Sequence, residues 1–158
     1  MLLRTAGGVP LVSDGMRTLE RVSPSSVWGL WASAAAGVLG LAYLLVVGAS
    51  RSAAALRRGV WAREPLRWPA LCLVLLVVAP GLYLTQSFLA IGDPTPANVA
   101  MALLTGALPV ALVVAGVQRL RAGVRTTGAR LDLVAIVGLL QWCGVLAAWG
   151  LVPLVMWR

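Results

Sequence analysis

The chain has 158 residues, 60% of them hydrophobic, and its mean hydropathy is +0.91. Its 13 basic residues are all arginine and stand against five acidic residues and no histidine, which gives a formal net charge of +8. This composition excludes an ordinary soluble domain, and the missing histidine removes the commonest metal ligand and general base. Because the arginines lie in short segments beside apolar runs, lipid headgroups explain them and we expect no nucleic-acid binding. The scarcity of metal ligands and ionisable groups in the apolar runs leads us to expect no metal and no cofactor.

Residues 1–26 form a polar tail ahead of the first apolar run. Ser13 is a suitable N-cap for a short helix over residues 14–22, in which Met16, Leu19 and Val22 share one face. We therefore expect a short interfacial helix that lies on the membrane surface.

Four apolar runs follow, over residues 27–49, 69–92, 97–117 and 133–157. Each has roughly the length that crosses the hydrocarbon core of a bilayer, about 30 Å thick. Residues 27–158 are therefore predicted to form an all-α integral membrane domain, a four-helix transmembrane bundle. Each of spans two, three and four contains a proline, and these residues are expected to kink their helices: Pro80, Pro109 and Pro153.

Two basic loops separate these spans, at residues 50–68 and 118–132. Together they hold nine arginines, whereas four lie in the tail and at the last residue. The positive-inside rule then predicts cytoplasmic basic loops and both termini outside. Arginine without lysine, in a chain rich in alanine and leucine, favours a bacterial cytoplasmic (inner) membrane.

The loop arginines are predicted to contact anionic lipid headgroups at the cytoplasmic face. No charged residue is expected deep in any span. Glu64 and Asp132, at the edge of the membrane, are interpreted as surface partners of nearby arginines. The predicted headgroup contacts are Arg57, Arg58, Arg63, Arg67, Arg119, Arg121, Arg125 and Arg130.

Small residues recur along span one. Ser33, Ala36, Gly37 and Gly40 would allow another helix to approach closely, either within the bundle or from another subunit. This set is the predicted helix-packing surface. The two cysteines, Cys72 and Cys143, are interpreted as small packing residues rather than a disulfide pair.

The candidate binding site is a set of neutral polar side chains. Tyr83, Gln86 and Ser87 share one face of span two, and Thr105 and Gln141 lie near mid-depth of spans three and four. These groups could converge on a small polar cavity that binds a ligand or a quinone headgroup. Alternatively, they hydrogen-bond to one another between helices.

Motifs that carry catalysis are missing from the sequence. It has no paired carboxylates within a span, no nucleophile elbow, no phosphate-binding loop and no Cys-x-x-Cys. We therefore expect a non-catalytic accessory subunit that packs against other membrane protein subunits of a larger complex. Two alternatives stay open: a small homo-oligomeric transporter or channel for a neutral or weakly polar solute, and a lipid- or quinone-binding component of a membrane enzyme.

Overall fold

The computed structural model describes residues 2–4, 10–13, 18–20, 23–86 and 93–155, and of the first three ranges only the backbone. The chain divides into two compact units, residues 1–32 and 33–158. Within the described ranges, four helical segments are long and apolar enough to cross a membrane: Pro24–Arg57, Arg67–Thr85, Pro96–Ala122 and Thr127–Ala148. The predicted all-α four-helix membrane domain is confirmed, and the chain is a multi-pass membrane protein.

The N-terminal tail contains three short strands, β1 (Leu2–Arg4), β2 (Pro10–Ser13) and β3 (Thr18–Glu20). They pair antiparallel in the order β1-β2-β3. The interfacial helix predicted over residues 14–22 is wrong in its described part, which is β3. The sequence between β2 and β3 begins with Asp14-Gly15, a pair typical of hairpin connections, and that signal outweighs the weak helical pattern.

Span one is longer than predicted. It comprises α1 (Pro24–Tyr43), a π-helical segment (Leu44–Gly48) and α2 (Ala49–Arg57). The helix therefore includes the first part of the predicted loop over residues 50–68, where alanines favour helical backbone. The chain turns at Gly59, whose φ of 69° suits glycine, and a 3-10 turn (Trp61–Arg63) follows.

Span two changes its helix type partway along. The α-helix α3 (Arg67–Val78) gives way to a 3-10 segment (Ala79–Thr85). Pro80 lies near the start of the 3-10 segment and has no N–H to donate to the carbonyl four residues earlier. Pro80 thus marks the end of the α-helix rather than a kink inside it. Residues 87–92, the remainder of the predicted span, lie outside the described residues.

Span three is the uninterrupted helix α4 (Pro96–Ala122). Its N-cap is Thr95, whose hydroxyl accepts a hydrogen bond from the Asn98 N–H at 3.4 Å. Pro109 is the one proline of the three that lies inside a described α-helix. Gly123, with a φ of 90°, ends α4, so the predicted loop over residues 118–132 is shortened to residues 123–126.

Span four is α5 (Thr127–Ala148), and it ends earlier than predicted. Gly150 has a φ of 73° and donates to the Ala147 carbonyl at 2.9 Å, and the Leu151 N–H bonds to the Leu146 carbonyl at 2.8 Å. This pair of bonds is the Schellman termination of a helix. Pro153 therefore follows the helix, and the predicted kink there is wrong.

The core of the second unit is built mainly from leucine and alanine. Its buried members include Leu44 of the π-helical segment, Leu73 of α3, Leu112 of α4 and Leu139 of α5. In the most apolar windows of spans two, three and four, 22%, 17% and 28% of the residues are buried. Most of the surface of these helices therefore faces outward, toward lipid or a partner.

Candidate functional site

A buried carboxylate joins the helices at the arginine-rich end of the bundle. Asp132 lies five residues after the start of α5, and its side chain is 0% exposed. Its Oδ1 accepts a hydrogen bond from the Tyr43 hydroxyl at 2.8 Å, and its oxygens accept two bonds from Arg51 Nη1 at 3.0 and 3.1 Å. Arg119 of α4 forms a further ion pair with Oδ2. One carboxylate thus contacts spans one and three from span four.

Arg51 extends this cluster to the first basic connection. Its Nη2 donates to Glu64 Oε1 at 3.0 Å while its other terminal nitrogen holds Asp132. The same Glu64 oxygen accepts a bond from the Leu66 N–H at 3.4 Å, at the start of span two. The charge cluster is therefore defined by Tyr43, Arg51, Glu64, Arg119 and Asp132. It links spans one, three and four with the connection that leads into span two.

Two expectations from the sequence are corrected by this geometry. Asp132 is a buried centre of three interactions rather than a surface partner. Arg119 pairs with it and has a side chain only 16% exposed, so it is not a free headgroup contact. The reason is that two helices continue past their predicted ends. Span one extends beyond residue 49 and carries Arg51 to Asp132, and α4 extends beyond residue 117 and carries Arg119 there.

The cluster is electrically balanced, with two guanidinium groups against two carboxylates. A buried carboxylate is tolerated when opposite charges and hydrogen bonds replace its lost water. Each oxygen of Asp132 has such partners. Chemically, this arrangement is suited to holding helices in place. Among the described residues, no group of three or more His, Cys, Asp or Glu side chains is placed to bind a metal ion.

Arg67 organises the connection between spans one and two. Its guanidinium lies 5.6 Å from the ring centroids of both Trp61 and Trp68, and the two indoles meet edge to face with centroids 5.2 Å apart. It also donates to the Ala62 and Glu64 carbonyls. These cation–π and backbone contacts give Arg67 a structural role in the loop in addition to its predicted headgroup contact.

The other predicted headgroup arginines are exposed at the same end of the bundle. Arg58 donates from Nε to the Ala54 carbonyl at 3.1 Å. Contact with anionic headgroups stays a prediction for this group, which consists of Arg57, Arg58, Arg63, Arg121, Arg125 and Arg130.

The predicted polar cavity does not gather its residues in one place. Tyr83 donates to Asn98 Oδ1 at 2.7 Å, near the start of α4. Gln141 exchanges two bonds with Ser33 of α1, at 2.6 and 2.8 Å. Thr105 accepts a bond from the Leu154 N–H at 2.9 Å. These are three separate hydrogen-bonded contacts between different pairs of segments.

Gln86 and Ser87 are the remaining members of the predicted polar cavity. Gln86 is half-buried at the end of the 3-10 segment, where its N–H bonds to the Tyr83 carbonyl at 3.2 Å. Ser87 lies outside the described residues. A groove of about 540 Å³ nearby is apolar and is formed by the end of span two and the first part of α4. Its lining includes Leu75, Gly81, Leu82 and Leu104.

Asn98 is a polar residue that the sequence analysis missed. It is 0% exposed, accepts the Tyr83 hydroxyl and donates from Nδ2 to the Asp93 carbonyl at 2.7 Å. It therefore connects the start of α4 with the 3-10 segment of span two. Its place in the first turn after Thr95-Pro96, a typical helix start, was the available signal.

The small residues of span one lie against α5. A Cβ added at Gly37 would come within 2.5 Å of the Trp142 side chain, and one added at Gly40 within 2.5 Å of the Ala135 carbonyl oxygen. Across the contact, a Cβ at Gly138 would come within 2.8 Å of the Ala36 carbonyl oxygen. Glycine is thus required on both helices for this close approach.

Asp132 also carried a signal that the sequence analysis did not use. The buried residues of α5 include Ala129, Ala135, Ile136 and Leu139, and Asp132 falls three or four residues from each of the first three and seven from the last. It therefore belongs to the inward stripe of the helix. An acidic residue on such a stripe predicts a buried partner of opposite charge.

Comparison of the chain with protein-family models, with curated proteins and with solved structures finds no significant match.

Proposed function

We propose that this chain is a non-catalytic accessory subunit of a larger membrane protein complex in a bacterial cytoplasmic membrane. The observation that carries the proposal is that the ionisable groups inside the bundle pair with one another. Arg51, Arg119, Glu64 and Asp132 engage one another, and Tyr43 donates to the same cluster. Groups occupied in this way hold helices together and are poorly placed to act on a substrate.

The outward faces of the bundle support a role in assembly. They are broad and apolar, and the groove between span two and α4 has glycine at Gly81, where an added Cβ would meet nothing within 4 Å. In lipid, helices associate through close packing where small residues leave room for a neighbour's side chains. This groove suits a transmembrane helix of another subunit.

The arginines support the proposed orientation. Both connections that carry them lie at one end of the bundle, since Arg51 of α2 contacts both Glu64 of the first connection and Asp132, which lies five residues after the second connection ends and α5 begins. The positive-inside rule then favours a cytoplasmic position for this end, with the exposed arginines at anionic lipid headgroups.

Copurification tests the proposed function. The tagged full chain, expressed in its native host and extracted in a mild detergent, should migrate with stoichiometric amounts of other integral membrane proteins. Mass spectrometry identifies them. If the chain migrates free of other proteins in several mild detergents and after cross-linking in the intact membrane, the proposed function is wrong.

A pair of glycine substitutions sharpens this test. Gly81→Leu fills the apolar groove, whereas Gly128→Leu adds the same side chain at another open helical position. Both variants should fold, because neither added Cβ meets a neighbour within 4 Å. We expect Gly81→Leu to lower the recovery of partner subunits and Gly128→Leu to leave it unchanged.

Orientation is tested separately by cysteine labelling. In a background with Cys72→Ala and Cys143→Ala, Arg125→Cys and Asp93→Cys place thiols at opposite ends of the bundle. A membrane-impermeant maleimide added to intact spheroplasts should label the Asp93→Cys variant alone. Labelling of the Arg125→Cys variant alone would reverse the proposed orientation.

The transporter alternative has less support. It requires polar side chains that share a path, whereas Tyr83, Thr105 and Gln141 bond to three different segments. The quinone alternative has less support as well, because the described residues that line the apolar groove are all aliphatic or glycine.

A further inference from the structure

An amide side chain lies on the lipid-facing side of span four. Gln141 is exposed and lies fourteen residues after the start of α5, about 21 Å along the helix at 1.5 Å per residue. This depth is inside the hydrocarbon core. A polar group there is costly unless its hydrogen bonds are satisfied.

The contact with Ser33 satisfies only half of the hydrogen-bonding capacity of the Gln141 amide. Gln141 Oε1 accepts a bond from the Ser33 hydroxyl, and Nε2 donates to the Ser33 carbonyl. A glutamine amide has two N–H donors and two acceptor lone pairs. Within the described part of the chain, the hydrogen bonds of Gln141 therefore leave one N–H and one lone pair available at mid-membrane.

The residues around Gln141 form a stripe suited to helix pairing. The stripe consists of Val134, Val137, Gln141, Gly144 and Ala148, which are spaced alternately three and four residues apart and are all exposed. This is the a/d spacing of a left-handed helix pair. An added Cβ at Gly144 would meet nothing within 4 Å, so a neighbouring helix can approach there without disturbing this bundle.

We propose that this stripe is a self-association surface that pairs two copies of the chain. Copies inserted in the same membrane share one orientation, so a two-fold axis along the membrane normal brings the two Gln141 amides together. Each amide then donates its remaining N–H to the other's oxygen. The acyl chains of lipids offer no such donor or acceptor.

Charge along α5 favours the same arrangement. The stripe carries no ionisable side chain between residues 134 and 148, so two copies do not repel each other along it. Arg130 lies on the same side, about 16 Å from Gln141 toward the arginine-rich end. A crossing point near Gly144, in the opposite half of the helix, separates the two Arg130 side chains.

This pairing goes beyond the proposed subunit role, and it is tested with the full chain alone. In a background with Cys72→Ala and Cys143→Ala, Val137→Cys places a thiol on the stripe. Val113→Cys places one on the outward face of α4 at a matched depth, about 14 Å from the arginine-rich end against about 15 Å for residue 137. In phosphatidylcholine–phosphatidylglycerol vesicles under mild oxidation, Val137→Cys should form disulfide dimers at least tenfold faster.

The dissociation constant gives the second readout, measured by energy transfer between labelled copies as the protein-to-lipid ratio is lowered. Gln141→Leu should weaken pairing by about tenfold, the effect of losing two interhelical hydrogen bonds in a membrane. Ser33→Ala removes the intrachain hydroxyl bond but keeps the amide, so it should leave pairing intact.

Three results would overturn the proposal. One is equal cross-linking of Val137→Cys and Val113→Cys, which would assign any association to random encounter. Another is absence of energy transfer at every ratio, which would mean that lipid covers the stripe. The third is the same loss of pairing in Ser33→Ala as in Gln141→Leu, which would make the amide a contact within one chain only.

Discussion

The arginine-rich end of the bundle and its opposite end are held together by different kinds of polar contact. At the arginine-rich end, Asp132 binds Arg51 and Arg119 and accepts a hydrogen bond from Tyr43. At the opposite end, Tyr83 and Asn98 are joined by a neutral hydrogen bond, and Asn98 holds the turn that contains Asp93. One end thus uses ions and the other uses amides and hydroxyls.

This difference follows from where each contact lies relative to water. Arg119 and Asp132 lie three residues before the end of α4 and five after the start of α5, so long arginine side chains there can reach the headgroup region. Deeper contacts such as Ser33–Gln141 must avoid the cost of burying charge. We therefore expect substitutions at the charged end to lower the unfolding free energy more than substitutions elsewhere.

The largest effect is expected from Asp132→Asn. The substitution keeps the size of the side chain but leaves two arginines without their shared anion. We expect a loss of about 3 kcal/mol of unfolding free energy, the lower part of the range for a broken buried pair, because the Arg51 side chain is 33% exposed. Reversible unfolding in mixed detergent micelles measures it. Asp93→Asn, at an exposed turn, is the control and should change the unfolding free energy by less than about 0.5 kcal/mol. Equal losses in the two variants would show that the charge cluster does not stabilise the bundle.

The next largest effect is expected where α1 meets α5. Gly40→Ala adds a Cβ that would lie 2.5 Å from the Ala135 carbonyl oxygen, so the helices must move apart. Overpacking of this kind costs about 1–3 kcal/mol. Gly128→Ala, at an open position of α5 outside the proposed self-association stripe, serves as the matched control in the same unfolding assay. A stable Gly40→Ala variant would show that this close contact contributes little.

A smaller effect is expected from Arg67→Lys. Lysine keeps the charge but loses the planar group that lies near both Trp61 and Trp68 and donates to two carbonyls. We expect a loss of about 1 kcal/mol and altered tryptophan fluorescence, since the indoles no longer have a guanidinium beside them. Arg63→Lys, at an exposed position of the same connection, should change neither quantity.

The smallest effect is expected from Ser33→Ala. Gln141 keeps its bond to the Ser33 carbonyl and loses only the hydroxyl donor. Hydrogen bonds between membrane helices contribute about 0.6 kcal/mol on average, so the change in unfolding free energy should be of that size. A loss above about 2 kcal/mol would show that the neutral contact between Ser33 and Gln141 stabilises the bundle about as much as the charge cluster does, contrary to our expectation.

Much of the fold follows from simple features of the sequence. The lengths of the apolar runs predict the four spans, because lipid forces each run into a helix. The ends of the helices were harder to predict. Gly123 and Gly150 stop α4 and α5 through positive φ angles that a hydropathy pattern does not reveal, and α2 continues past the apolar run because alanine favours helix among polar neighbours.

The charge cluster was missed for a related reason. Its members are far apart in the sequence, and Asp132 lies two residues from Arg130, so a local surface pair was the simpler interpretation. Which distant arginine meets which carboxylate depends on how far span one and α4 extend past their apolar runs, and neither extension was predicted. The same limit applies to Gln141, whose partner Ser33 is 108 residues away.

The central claim is that the charge cluster joins the helices of this bundle. A double-mutant cycle on Arg119→Leu and Asp132→Leu, read out as unfolding free energy in detergent, tests it most directly. The double variant should lose at least about 1.5 kcal/mol less unfolding free energy than the two single variants lose together. The reason is that two leucines replace the pair without leaving an unpaired charge. Purely additive losses would contradict the claim and would show that Arg119 and Asp132 do not stabilise the bundle as a pair.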